Sequence, residues 1–201
     1  MTRRGEQGYT LIEVMMAVAV MTIGAVGIMA MQQAATRGNM EARQMTTATQ
    51  IANLWLERVK RDSLNWNVGG TTATAADLTR TRYLSAVPAP AVAAAWGSPT
   101  NVPGGESYAF DYWGRDTTAT TGMYAQVFCV NTRFQWVFPG QAIRADVRVW
   151  WHRRGVGDTN AADGRVYVAP LCGVGSESVI TGDNRLRFVY ASTIVRWVQN
   201  Q

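Results

Sequence analysis

Histidine occurs once in the 201 residues, at His152, lysine once, at Lys60, and cysteine twice, at Cys129 and Cys172. A lone histidine excludes multi-histidine metal sites and histidine relays. Two cysteines allow one intramolecular pairing and no disulfide-dense scaffold. Charged residues make up 16% of the chain, against roughly a quarter in ordinary soluble domains. Hydrophobic residues reach 47% and include eight Trp, so bulk disorder is excluded as well. The net charge of +5 comes from arginines scattered along the chain, which permits an anionic partner without pointing to one. Motifs for chemistry are also missing. Gly173-Val174-Gly175-Ser176 lacks the lysine of a phosphate-binding loop. Asp158, Asn160 and Asp163 fail the calcium-loop spacing because Ala162 occupies a ligand position. The chain does not read as an enzyme, and neither cofactor nor metal is expected.

What is present is concentrated at the amino terminus. Residues 1–8 are short, polar and basic, and an apolar run follows. Val14–Met31 holds no charge, and Tyr9–Met31 as a helix would span about 35 Å, enough for a hydrocarbon layer of roughly 30 Å. No Ala-x-Ala site followed by a break marks an ordinary secretory signal. Arg3 and Arg4 put the start of the chain on the cytoplasmic side, so the bulk of it should lie outside. Glu13 does not belong in a plain anchor. A carboxylate near mid-bilayer costs on the order of 3 kcal/mol, comparable with what six Val and Ile residues supply. Gly24 and Gly27 each weaken the helix by about 1 kcal/mol relative to Ala. Glu13 is therefore either an interfacial group reaching for water or a functional acid awaiting a partner.

Gly8-Tyr9-Thr10-Leu11-Ile12-Glu13-Val14, behind a basic leader and ahead of an apolar helix, resembles the processing site of type IV prepilins and pseudopilins. The resemblance implies cleavage by a prepilin peptidase between Gly8 and Tyr9, N-methylation of Tyr9, and a Glu13 that becomes the fifth mature residue. Tyr9 stands where the family more often has Phe. Ile23-Gly24-Ala25-Val26-Gly27-Ile28 followed by Met31-Gln32-Gln33 is similar to the PilV-type minor pilins. The implied function is a minor pilin that helps initiate a type IV pilus or forms part of its tip. A type II secretion pseudopilin and a pilus-borne adhesin or DNA-binding subunit are the alternatives. The implied partners are other minor pilins and the major pilin, the inner-membrane assembly platform and a tip adhesin. The implied location is the inner membrane, with a periplasmic carboxy-terminal domain, and then the pilus. Glu13 would pair with the freed terminal amine of a neighbouring subunit.

The rest of the chain reads as a pilin-like α+β fold: a long N-terminal α-helix packed on a C-terminal antiparallel β-sheet. Residues 1–8 form the leader, 9–31 the membrane and assembly half of the helix, and 32–62 its amphipathic half. A connecting region follows at 63–122, then the sheet region at 123–201. Met45, Ala48, Ala52, Trp55 and Val59, widened by Ile51 and Leu54, form the expected core stripe, with Arg58 on another face. Glu57 and Arg61 have the spacing of an i,i+4 ion pair, worth about 0.2–0.5 kcal/mol. Gly38 is the expected bend, and Ala75–Leu84 a short helical piece. Strands are expected at Met123–Val130, Arg133–Phe138, Ile143–His152, Arg165–Leu171 and Leu186–Val198. Export to an oxidising compartment favours a Cys129–Cys172 disulfide closing a loop of about 43 residues, with two separately buried thiols as the alternative. Arg144 and Arg148 share a strand face, with Arg153, Arg154, Trp136 and Trp150 in the vicinity. Such a surface serves single-stranded nucleic acid or subunit contacts. Subunit contacts are the expectation, and His152 is a solvated strand-end residue.

Overall fold

The computed structural model describes residues 9–66, 77–99, 102–119, 125–152, 172–173, 180 and 186–197. The leader with Gly8, the Arg165–Leu171 strand, the turn at Asp158–Asp163 and the Arg153-Arg154 pair lie outside them. No proline occurs before residue 88, and Leu11–Trp66 accordingly forms one α-helix, α1, of 56 residues. It runs four residues past the expected end at Asp62 and stays helical through Gly38. The chain divides into two compact units between Arg43 and Gln44.

In the second unit α1 supplies one wall of the core through Ala48, Ile51, Ala52, Trp55, Val59 and Trp66. Two members of the expected stripe are not in it. Met45 is 54% exposed and Leu54 is 37% exposed. At about 100° per residue, Leu54 points well away from the line through Ala48, Trp55 and Val59, and Met45 lies on its rim. Arg58 and Asp62, whose charge argues for solvent, are buried instead. The expected Glu57–Arg61 pair is also absent, because Glu57 Oε1 lies 2.8 Å from Lys60 Nζ.

Four strands form an antiparallel sheet in sequence order: β1 (Ala109–Phe110), β2 (Phe128–Phe138), β3 (Ala142–His152) and β4 (Leu186–Arg196). The two strands expected on either side of Asn131 are one strand, β2. A Pro139-Gly140 turn joins it to β3, with Gly140 at φ 72° and the Gln141 N–H donating to the Phe138 carbonyl at 3.0 Å. Proline presets the first turn position, and glycine accepts the positive φ of the second. β1 lies inside what reads as a connecting region, because two residues carry no detectable period. The expected helix near Ala75–Leu84 is replaced, in its described part, by turns leading to a 3-10 turn at Leu84–Ala86.

Ile143, Ala145, Val147, Val149 and Trp151 of β3 belong to the same core cluster as the buried face of α1. Alternation puts Arg144, Asp146, Arg148 and Trp150 on the opposite face. That face is covered too. Ala109, Cys129, Trp150, Cys172 and Leu186 form a second apolar cluster. The sheet thus separates two layers, which explains why most of β3 is buried in both directions.

Candidate functional site

In the first unit, every described residue from Tyr9 to Met40 is exposed. Tyr9 is 83% exposed, Leu11 81% and Ile23 75%. Between Tyr9 and Thr36, Glu13 is the only charged side chain. By length and composition, α1 can cross a membrane, with a mean hydropathy of 2.3 over its most apolar 18 residues. An exposed apolar surface of this extent among the described residues suits lipid or other helices around it. The helix begins after Thr10, whose carbonyl accepts the Glu13 and Val14 N–H groups at 3.1 and 3.3 Å. Glu13 therefore sits in the first turn, where unsatisfied N–H groups give the helix its positive end and favour a carboxylate. Thr10-Leu11-Ile12-Glu13 also has the spacing of a capping box. Tyr9 lies immediately before this turn, so a terminus created there would put an amine and Glu13 at the same end of the helix.

The second unit holds a network that no sequence pattern announces. Arg58 is buried against the rings of Trp55 and Phe110, with its guanidinium carbon 4.9 and 5.8 Å from their centroids. Its Nη2 lies 2.8 Å from Asp116 Oδ2 and its Nε 3.4 Å from Glu106 Oε2. Asp116 also accepts the Ser107 N–H at 2.6 Å, and Glu106 accepts the Tyr83 hydroxyl at 2.7 Å. Burial, and then the Glu106 carboxylate, push the Tyr83 phenol well above its ordinary pKa. One turn further along α1, Asp62 accepts the backbone N–H groups of Arg82, Tyr83 and Leu84. Apart from Ser107 and Asp116, nine positions apart, these hydrogen-bonded and ion-paired partners are separated by 20 to 58 positions in the chain. Local periodicity could not have found them.

Cys129 and Cys172 are joined by a disulfide, with Cα atoms 5.2 Å apart. The Cys172 N–H donates to Gln126 Oε1 at 3.1 Å, which adds a second tie between Cys172 and the segment leading into β2. The arginines on the second sheet face do not form an open basic surface. Asp146 binds Arg133 at 2.8 Å and Arg144 at 2.7 Å. Arg148 is buried, and the Trp96 ring lies 4.6 Å from its guanidinium and 4.7 Å from that of Arg133. Trp150 donates to Asn131 Oδ1 at 2.7 Å, while Trp136 packs on Trp66. The two tryptophans stand near opposite ends of the hairpin, because Trp150 pairs with Cys129 and Trp136 with Ile143. His152 is half-buried at the end of β3, paired with Leu186. No group of three or more His, Cys, Asp or Glu side chains able to hold a metal occurs among the described residues.

Residues 3–29 match the family described as the prokaryotic N-terminal methylation motif. The match covers Gly8, Tyr9 and Glu13 and indicates a type IV prepilin-like protein, a structural class whose members are processed by a prepilin peptidase. No curated protein and no solved structure matches the chain.

Proposed function

We propose that the chain is a minor pilin, a structural subunit that helps initiate type IV pilus assembly or forms part of the tip complex. The observation that carries this reading is the uncovered apolar helix with a single acid in its first turn, inside the matched segment 3–29. The Ile23-Gly24-Ala25-Val26-Gly27-Ile28 element, similar to PilV-type minor pilins, supports the choice of subunit.

Cleavage after Gly8 removes Arg3, Arg4 and Glu6 and exposes an amine on Tyr9. The amine and the Glu13 carboxylate of a neighbouring subunit then neutralise each other within a bundle of apolar helices. An isolated charge there carries a desolvation penalty of several kcal/mol, so the paired register is favoured over its neighbours. The same pairing draws the subunit out of the bilayer and into a filament.

Mass spectrometry of the protein from its native membrane should find methylated Tyr9 at the amino terminus in place of Met1. Glu13→Gln should leave the membrane fraction intact while reducing the amount in sheared pili by at least about tenfold, the equivalent of 1.4 kcal/mol. Normal incorporation of that variant refutes the role given to Glu13. Recovery with a secretion apparatus and never with pili would reassign the subunit to the pseudopilins.

A further inference from the structure

Beside the last turns of α1 lies a pocket of about 370 Å³, lined by Arg58, Arg61, Asp62, Asn65, Arg82 and Glu106 together with Leu64, Tyr83 and Pro103. Its buried and exposed charges are matched differently. Arg58 is neutralised by Glu106 and Asp116, and Asp62 is engaged by three N–H groups. The guanidinium groups of the exposed Arg61 and Arg82 have no hydrogen-bond or ion-pair partner among the described residues. Glu57, the acid best spaced to serve Arg61, is taken by Lys60. The ten residues after α1, 67–76, contain no acidic side chain that could serve in its place.

We propose that this pocket is a carboxylate-binding site that takes an acidic side chain of a partner peptide. Two guanidinium groups offer the planar paired donors that carboxylates accept in bidentate fashion. Asn65 presents both a donor and an acceptor, which a peptide unit needs. Leu64, 60% exposed, and Pro103 supply apolar surface for the aliphatic stem of a glutamate. A compact phosphate would leave that apolar rim unused. The site is independent of whether the chain enters a filament.

The test is calorimetric titration of the full-length chain, in uncharged detergent, with hexaglutamate, glutarate and inorganic phosphate. Hexaglutamate should bind, and Arg61→Gln and Arg82→Gln should each weaken it about tenfold, the effect of losing one charge-assisted hydrogen bond. Arg144→Gln removes the same charge from an arginine that is paired elsewhere, and should change binding less than twofold. Both pocket arginines are exposed, and an unchanged unfolding midpoint verifies that the variants fold. Equal losses in all three variants would reduce the binding to general charge attraction and overturn the site. Glutarate binding as tightly as the peptide would overturn the peptide occupant in favour of a free dicarboxylate. Phosphate binding more tightly than either would overturn the carboxylate assignment.

Discussion

Asp62 lies on the buried line of α1, and its carboxylate accepts three backbone N–H groups at 2.7, 2.8 and 3.1 Å. It thereby fastens the turn before Leu84–Ala86 to the helix, in the way a capping residue fastens its own helix. Asp62→Ala would strand those donors in a buried setting at a cost of about 2–4 kcal/mol, measurable as a lower denaturation midpoint with an unchanged slope. Asp62→Asn, which keeps one acceptor oxygen, should lose less. Tyr83 gives the neighbouring network a pH signature. Its folded pKa is raised, so the protonated phenol contributes stability in full below the unfolded value near 10, and that contribution is lost as pH rises beyond it. The stability gap between wild type and Tyr83→Phe, measured by denaturation, should therefore be constant from pH 7 to 9 and narrow above pH 10. A gap that widened would contradict the burial and the Glu106 bond assigned here.

The elements divide by how their pattern arises. β3 was legible because Ile143, Ala145, Val147, Val149 and Trp151 alternate with Arg144, Asp146 and Arg148, and a sheet with one helix-covered face demands that alternation. The same alternation misled about its other face. Arg148 and Asp146 look like solvent residues in the sequence, yet Trp96 and Arg133 cover them from elsewhere in the chain. β1 and the 3-10 turn carry too few residues to show any period. The Cys129–Cys172 bridge links β2 to a segment 43 positions away. On the chain-entropy account, closing such a loop contributes about 4 kcal/mol. Reduction, or the double substitution Cys129→Ser and Cys172→Ser, should lower stability by about 2–5 kcal/mol in denaturant titration. A bridge that could be opened with no change in midpoint would show that the second apolar cluster holds by itself.

At the scale of the whole chain, α1 serves two different environments. Its first unit keeps its apolar side chains uncovered, while its second closes a core that contains Trp55, Trp66 and Trp151. That division is written in the sequence. A run free of charge apart from Glu13, followed by apolar residues at helical spacing with charges between them, can satisfy only lipid or packed helices first and a single sheet face afterwards. The matched segment 3–29 and the place of Glu13 in the first turn of α1 are likewise local, since a motif and a helix end are both made of contiguous residues. Only the tertiary structure decided that Arg58 would be buried and paired with Glu106 and Asp116, that Asp62 would hold a distant turn, and that Arg61 and Arg82 would border one pocket. The physical reason is range. Periodicity reports which way a side chain points from its own backbone, whereas the partner of a buried charge is chosen by whichever remote segment the chain folds against it.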